Sequence, residues 1–392
     1  MLRRKKRKAL FSTRNKARLV PGGAPFFETL HGLIAGARHS IHLQTYIFAN
    51  DGTGEKIAGA LMAAAKKGVA VYLLVDGYAS NTISRPFIQQ LEAAGVHFRF
   101  FEPVFRSDNF YFGRRLHHKV AVFDNRCAVI SGSNIADRYN DLPGCPAWFD
   151  MGILVEGDAV LEIYEICIKI WEKDKAEKNP LKQKLADIFN YIAEEDAVGV
   201  RVLQNDWVRR KQEIFYAYHK LFKESRKSIT IVCSYFLPGL SLRNRLMKAV
   251  KRGVEVKVVL SSISDVVITK HAERWLYRWM LRNNITIYEY QPTVLHAKLA
   301  VVDDDLLTIG SYNINSLSAL ASVEMNVLVK DAELSAELKA GIEEMIQTKC
   351  LLIDKASYKT SLFSVKYLWQ AICYYAVSLL VTVGTFYYRR EE

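Results

Sequence analysis

The chain has 392 residues, half of them hydrophobic, and a formal net charge of +13. This length and composition fit a pair of globular domains, each with enough apolar residues for its own core. The six cysteines are scattered without the spacing of a disulfide framework, which excludes a disulfide-stapled scaffold and favours a reducing compartment.

A basic N-terminal arm is predicted over residues 1–24. Nine lysine and arginine residues precede the first acidic residue, Glu28. A run of this kind binds nucleic acid or anionic lipid. Only three apolar residues, 9–11, follow the main basic cluster before polar residues resume, so no secretory signal is expected.

The first domain is predicted over residues 25–178. Apolar strands over 40–48 and 68–75 alternate with helix-like stretches, and a further helix and strand lead to a short HxKxxxxD pattern. Strands that alternate with helices of about 10 to 15 residues indicate a mainly parallel sheet covered by helices. The pattern consists of His117, Lys119 and Asp124, with Asn134 ten residues after the aspartate.

The second domain is predicted over residues 199–350, after a highly charged linker over 179–198. It repeats the order of the first domain, with strands over 228–236 and 253–260. A repeat of this length indicates two domains rather than a solenoid. One motif in each half predicts a single, shared, pseudo-symmetric site. The second motif consists of His296, Lys298 and Asp303, followed by Asn313.

The motif suits phosphate chemistry. A histidine and a lysine two residues apart on a strand lie on the same face. Together with an asparagine amide they form an anion pocket, and phosphate is the common anion that needs several donors. Two such pockets around one phosphorus allow double displacement, in which one neutral histidine attacks and a protonated one donates to the leaving alcohol. No CxxC, HExxH or clustered carboxylate pattern occurs, so no metal site is predicted.

Two acidic residues are candidate partners of the histidines. Asp150 and Glu324 lie on the strand that follows each motif, at positions that correspond once a short insertion over 141–145 is allowed. Double displacement needs the two imidazoles in different protonation states, and a carboxylate on the second ring nitrogen tunes the pKa of a histidine.

An apolar C-terminal helix is predicted in the tail over 351–392. From 367 to 388, 22 residues carry no charge, and aromatic residues stand at both ends. As a helix this stretch is about 33 Å long, enough to cross a hydrocarbon core of about 30 Å. We therefore predict a transmembrane helix over 367–388. The alternative is a helix that packs on the protein or lies in the membrane interface.

Two segments mix aromatic and basic residues. One, over 105–115, directly precedes the first motif, and the other spans 270–282. The functional interpretation is a rim that dips into lipid headgroups and guides a phospholipid to the histidines. The alternative for the second segment is an amphipathic helix with a buried aromatic stripe.

The paired motifs, their asparagines and the acidic strands resemble the phospholipase D superfamily. The wider chain is most similar to its bacterial cardiolipin synthase branch, for example over 76–78, 148–150 and 234–238. The resemblance covers about 25–348 and implies two pseudo-symmetric α/β/α domains that share one active site. Each domain would contain a mainly parallel mixed sheet flanked by helices. Ser131 and Gly132 stand where many relatives have a glycine pair, and no loss of function is expected.

The resemblance also implies residue roles in a phosphatidyl transfer that needs no metal or cofactor and proceeds through a phosphohistidine. By position, His117 would be the nucleophile and His296 the general acid and base. Asp150 and Glu324 would orient the opposed histidines. The motif lysines and asparagines would hold the phosphate, and the motif aspartates are expected to brace local structure. The motif residues are His117, Lys119, Asp124, His296, Lys298 and Asp303, and the phosphate-binding asparagines are Asn134 and Asn313.

The predicted activity joins two phosphatidylglycerols into cardiolipin and releases glycerol. The expected partners are this phospholipid and an anionic membrane surface, without nucleic acid, and the expected location is a bacterial cell membrane with the catalytic domains on its cytoplasmic side. A phospholipase D or a phosphatidylserine synthase remains an alternative, because the acceptor alcohol is not encoded in the motif. A nuclease that binds DNA through the basic arm and a non-catalytic membrane scaffold are further alternatives. The apolar tail argues against the nuclease, and the complete motif in both halves argues against the scaffold.

Overall fold

The computed structural model describes residues 11–102, 114–172, 192–315, 318, 322–355, 358 and 365–389, with residues 381–389 described by their backbone alone. It contains two mixed sheets flanked by helices, which confirms the predicted α/β class. The predicted arm over 1–10, most of the segment 105–115 and most of the linker lie outside the described residues.

The first half of the chain forms one sheet with its helices. Its elements are β1 (Asn15–Pro21), α1 (Ala24–Gly36), β2 (Ser40–Thr45), α2 (Gly52–Lys66), β3 (Ala70–Asp76), α3 (Arg85–Ala93), β4 (Val96–Phe101), β5 (Arg115–Leu116), β6 (Lys119–Phe123), β7 (Cys127–Ser131), β8 (Met151–Gly157) and α4 (Asp158–Trp171). The sheet has the order β1-β8-β7-β6-β2-β3-β4.

The second half repeats this plan. Its elements are β9 (Gly199–Asp206), β10 (Lys211–Gln212), α5 (Glu213–Glu224), β11 (Ser228–Cys233), α6 (Leu240–Lys251), β12 (Glu255–Ser261), α7 (Val267–Trp275), α8 (Tyr277–Arg282), β13 (Thr286–Tyr290), β14 (Lys298–Val302), β15 (Leu306–Gly310), β16 (Ser322–Lys330), α9 (Ala332–Lys349), β17 (Cys350–Ile353) and α10 (Val365–Arg389). The sheet has the order β10-β9-β16-β15-β14-β11-β12-β13-β17.

Antiparallel pairs outnumber parallel ones in both sheets, so the prediction of mainly parallel sheets is wrong. Within each sheet, β2, β3 and β4, and likewise β11, β12 and β13, run parallel. Parallel neighbours need a long crossover, which the helices between these strands supply. Each motif strand instead turns back tightly into the next strand, β6 into β7 and β14 into β15, and a tight turn makes the pair antiparallel.

The first strand lies within the predicted basic arm. β1 pairs antiparallel with β8 along its whole length, and Leu19 and Val20 are buried in the first domain. The prediction of an arm over 1–24 is therefore wrong for its last ten residues, 15–24, which form β1 and the start of α1. Basic residues are tolerated on this edge strand because they lie at its solvent side, where Lys16 pairs with Asp196 at 2.6 Å.

The two halves share a central hydrophobic core. One buried cluster contains Val155 and Ile163 from the first half together with Val202 and Met325 from the second. Two further clusters each lie between one sheet and its own outer helices. Because the central cluster belongs to both halves, the elements that carry the two motifs are held together by packing.

The C-terminal helix α10 packs against the second domain through its first turns. The Tyr367 ring lies 4.4 Å from that of Trp275, and Gln370 and Cys373 are buried. Within the described residues, no helix is long and apolar enough to cross a membrane. The predicted transmembrane helix over 367–388 is therefore not confirmed, and the side chains of its last eight residues lie outside the description.

Candidate active site

Each motif is anchored to the other half of the molecule. β5, which leads into the first motif, pairs in parallel with β16 of the second half. The backbone N–H groups of His117 and His118 both donate to the Val323 carbonyl, at 3.0 and 2.9 Å. In the same way, the N–H groups of His296 and Ala297 donate to the Phe149 carbonyl, at 2.7 and 3.1 Å. This exchange places each motif histidine beside the acidic strand of the opposite domain.

The exchange brings each histidine to a buried carboxylate. His117 Nδ1 lies 3.0 Å from Glu324 Oε2, and His296 Nδ1 lies 2.8 Å from Asp150 Oδ2. A carboxylate only accepts hydrogen bonds, so each neutral imidazole carries its proton on Nδ1 and leaves the Nε2 lone pair for chemistry. The two carboxylates thus stand where the sequence predicts the partners of the opposed histidines.

The environment keeps both imidazoles neutral. Burial lowers the pKa of His117, against the opposing effect of the Glu324 charge. Burial, followed by the charge of Lys298, lowers the pKa of His296 to about 3. The charges of Lys119 and Lys298 each depress the pKa of the histidine in the other half, so the two motifs share one electrostatic site.

The two motif lysines lie inside this site. Lys119 and Lys298 are almost completely buried, and each Nζ donates to the carbonyl oxygen of the histidine in its own motif. Burial lowers the pKa of both, that of Lys119 to about 7. An incoming anion would favour the charged form of both lysines, because an opposite charge nearby raises the pKa of an ammonium group.

The two asparagines that follow the motifs differ. Asn134 Oδ1 accepts from the Ile47 N–H at 3.0 Å, and its Nδ2 donates to the Tyr139 hydroxyl at 2.8 Å. Among the described residues the buried Oδ1 of Asn313 has no hydrogen-bond partner. Phosphate binding by these two asparagines stays a prediction. The hydrogen bonds of Asn134 also give it a structural role.

The motif aspartates lie at the opposite end of their strands from the histidines. The Asp124 carboxylate accepts from the N–H groups of 38–40, and Asp303 accepts from those of 226–228. A five-residue strand of about 16 Å separates each from its lysine. Their inclusion among the catalytic residues is therefore wrong, whereas the expected bracing role agrees with these hydrogen bonds.

Removal of either motif aspartate should reduce stability without changing the chemistry. Asp124→Ala or Asp303→Ala deletes three charge-assisted hydrogen bonds and should lower the free energy of unfolding by about 2 kcal/mol. Partial burial raises the pKa of Asp124, but the backbone N–H donors lower it by more, so the net shift is downward. The stability that Asp124 contributes is therefore present at neutral pH and is lost as the carboxylate becomes protonated in acid. Urea unfolding measures the loss.

Asp305→Ala is the matched control for this prediction. Asp305 is half-exposed and pairs with Lys330 at 3.9 Å, so the substitution should cost at most about 0.5 kcal/mol. A turnover rate that falls in Asp303→Ala protein shown to be folded would contradict the bracing role.

Aromatic side chains outside both motifs line the site. The Tyr46 ring lies 4.9 Å from the His117 ring, while Tyr139 and Trp148 lie 5.1 and 5.9 Å from His296. The repeat gave no signal for Tyr46, because Ser234 occupies the equivalent position. No repeat signal marks Tyr139, and its place beside the second histidine follows only from the packing of the two halves.

Small residues next to the motifs make room for the carboxylates. A Cβ at Gly132 would lie 2.6 Å from the Asp150 carboxylate oxygens, which is closer than real Cβ atoms approach. At the equivalent position of the second half, the Ser311 hydroxyl donates to Glu324. The two carboxylates are therefore not equivalent, since one has an additional hydroxyl donor.

The predicted rim over 270–282 is largely internal. Lys270 pairs with Glu273 at 2.6 Å, and Arg274 pairs with Glu289 at 3.2 Å. Tyr277 is buried among these groups. The prediction that these residues face lipid headgroups is wrong, because on α7 and α8 they point towards the sheet, where their basic groups form ion pairs with buried carboxylates.

Comparisons relate the chain to known proteins. It matches the family described as "Cardiolipin synthase, PLD-like domain" over residues 30–191 and 218–346. It is 30% identical over 348 residues to cardiolipin synthase B of Escherichia coli K12, which covers 87% of this chain and 83% of that protein. It is 29% identical over 338 residues to the major cardiolipin synthase ClsA of Bacillus subtilis 168, which covers 86% of this chain and 70% of that protein.

Solved structures share the fold at low sequence identity. The phosphatidylserine synthase of Haemophilus influenzae Rd KW20 superposes with a TM-score of 0.70 at 13% identity, covering 94% of this chain and 95% of that one. The polyphosphate kinase of Porphyromonas gingivalis gives a TM-score of 0.60 at 16% identity, covering 94% of this chain and 53% of that one. At these identities the likeness concerns the fold alone.

Proposed function

Since the chain belongs to the cardiolipin synthase family of phospholipase D-like enzymes, we propose that it joins two phosphatidylglycerols into cardiolipin and releases glycerol. The pairing of two histidines with carboxylates from opposite halves carries the proposal. It supplies a nucleophile and a proton carrier for one phosphorus, as phosphatidyl transfer requires.

His117 is the proposed nucleophile. The Glu324 carboxylate accepts the Nδ1 proton, which leaves the Nε2 lone pair free to attack. Because burial lowers the pKa of His117, the imidazole is neutral at physiological pH. Attack on the phosphorus of phosphatidylglycerol forms a P–N bond and breaks the P–O bond to the glycerol headgroup. The product is a phosphatidyl-histidine.

His296 is the proposed general acid and base. The negative charge of a bound phosphodiester opposes the lowering of its pKa, so His296 gains a proton when substrate binds. The Asp150 carboxylate stabilises the resulting imidazolium. This proton passes to the glycerol oxygen as the P–O bond breaks. His296 then removes the proton from the headgroup hydroxyl of a second phosphatidylglycerol, whose oxygen displaces His117 and forms cardiolipin.

Lys119 and Lys298 are proposed to hold the phosphate oxygens throughout both steps. Each ammonium now donates to a neutral carbonyl. An anionic phosphate oxygen is a stronger acceptor, so substrate binding should draw both groups towards the phosphorus. Their charge then stabilises the five-coordinate transition state.

The defining test uses phosphatidylglycerol labelled with deuterium in its headgroup. Purified protein should yield cardiolipin and free labelled glycerol in equal amounts, with one labelled glycerol retained in each cardiolipin. Mass spectrometry of the lipid and aqueous phases measures both products. The His117→Ala protein serves as the blank.

Other products would assign other activities. Phosphatidic acid without cardiolipin would contradict the proposal and identify a phospholipase D. Phosphatidylserine formed from a phosphatidyl donor and serine, without cardiolipin, would identify a phosphatidylserine synthase.

A further inference from the structure

Exposed apolar side chains lie close together beside the second motif, at one edge of the second sheet. The carboxyl ends of β11 and β12 lie beside the start of β14, because Cys233 of β11 pairs with Lys298. The loops and helix starts that follow β11 and β12 therefore surround the site. They expose Leu240, Ile263, Val266, Val267 and Ile268, each by 41% or more.

Helix α10 extends this apolar surface. Its inner side packs on α7 and α6, where the Tyr374 hydroxyl accepts from Arg243 at 2.7 Å. Its outer side exposes large apolar residues at helical spacing. These are Val365, Leu368, Trp369, Ile372, Tyr375, Leu379 and Leu380, each 50% exposed or more. Together with the five residues of the loops, we call them the docking face. A helix that is apolar on both sides needs a second apolar partner.

One loop joins the docking face to the catalytic centre. Asp265 lies between Ile263 and Val266 and accepts a hydrogen bond from the Tyr235 hydroxyl. Tyr235 follows β11 two residues after Cys233, the partner of Lys298. Whatever covers the docking face therefore lies at the entrance to the site.

The charges around the docking face indicate an anionic partner. α6, on which α10 packs, contains four basic residues and no acidic one, whereas the loop after β12 contributes one exposed acidic residue, Asp265. Lys366 is the only charged residue of α10 before Arg389. An apolar strip beside a helix rich in basic residues is complementary to a bilayer of anionic phospholipids. A second copy of this chain would instead oppose basic helices to basic helices.

We propose that the docking face binds the surface of an anionic phospholipid bilayer, with α10 lying along the interface and the entrance of the site held against the headgroups. The inference rests on the proposed function, because an enzyme that joins two bilayer lipids needs its site at the bilayer surface. It adds to that function by assigning the surface that delivers the substrate.

Vesicle flotation of the full chain tests the proposal. The test variant combines Leu368→Glu, Ile372→Glu and Leu379→Glu, which lie on exposed positions and leave the packed side of α10 intact. Binding to phosphatidylcholine vesicles that contain phosphatidylglycerol should weaken by about tenfold per substitution. High salt screens the attraction between the basic N-terminus and anionic vesicles, so binding is measured at both low and high salt concentration.

A matched control adds the same charge elsewhere. Ala35→Glu, Ala63→Glu and Gln89→Glu introduce the same three negative charges at exposed positions on helices of the first domain. This control should bind vesicles as the wild type does. Equal binding by the wild type and the docking-face variant would overturn the proposal. If the wild type were a dimer, the docking-face variant a monomer, and vesicle binding the same for both, the docking face would instead bind a second copy of the chain.

A second assay separates docking from catalysis. With short-chain phosphatidylglycerol dispersed as monomers, the docking-face variant should turn over at the wild-type rate, whereas its rate on vesicles should fall in parallel with binding. If the wild type made no cardiolipin from either substrate, the proposed function would fail, but flotation would still decide whether the docking face binds lipid.

Discussion

Replacement of His117 or His296 by alanine is expected to reduce the rate of phosphatidyl transfer by about 10³-fold or more. The first substitution removes the proposed nucleophile, and the second removes the proposed general acid and base. Both losses should be of similar size, since nucleophile and proton carrier act as one unit. Initial rates of cardiolipin formation measure them. His31→Ala is a control, because His31 is exposed on α1 and belongs to no motif.

A substrate with a good leaving group separates the two roles. Phosphatidyl-p-nitrophenol needs no proton on its departing oxygen, so His296→Ala protein should still form the P–N bond and release one equivalent of p-nitrophenolate. The phosphatidyl group should then remain on His117, because no base activates the second alcohol. Peptide mass spectrometry locates the adduct. An adduct on His296 in the His117→Ala protein, and none in the converse experiment, would reverse the assignment.

Loss of the orienting carboxylates should have the second largest effect. Glu324→Gln and Asp150→Asn keep the shape of each side chain but remove the charge that fixes the tautomer and stabilises the imidazolium. A decrease in kcat of about 10² to 10⁴-fold is expected, with smaller changes in KM. Thermal unfolding shows whether each variant remains folded, and Ser311→Ala tests the additional hydroxyl donor to Glu324.

The pH profiles should distinguish the two carboxylates. Each negative charge raises the pKa of its histidine, so its removal lowers that pKa further. His117 must be neutral to attack, and Glu324→Gln should therefore move the acidic limb to lower pH. His296 must be protonated in the substrate complex, and Asp150→Asn should move the alkaline limb to lower pH. If neither limb moved, the carboxylates would have a structural role only.

The duplicated motif made the candidate site predictable. Strand periodicity alone places His117 and Lys119 on one face, and the repeat assigns the same arrangement to His296 and Lys298. The position of Asp150 and Glu324 within the repeat was sufficient to suggest them as partners. These inferences depend on local spacing, which a strand converts directly into geometry.

Other features depend on contacts between residues far apart in the chain. The basic composition of residues 14–18 concealed β1, because pairing with β8 compensates for the weak strand signal. The ion pairs of Lys270 and Arg274 with Glu289 were hidden for the same reason, since Glu289 lies on β13. The mixture of parallel and antiparallel strands follows from the lengths of the connections, because long helical crossovers give parallel neighbours and tight turns give antiparallel ones.

By itself, the sequence determined that two equivalent halves each place a histidine and a lysine on one strand face, an arrangement that suits a phosphate group, because that information is contained in spacings of a few residues. Only the tertiary structure decided that each histidine is paired with the carboxylate of the other half, that the motif aspartates stay out of the site, and that α10 packs on α7 with an apolar side left outward. These features arise from strand exchange and burial between distant segments, whose energies depend on the whole packed chain rather than on any local pattern.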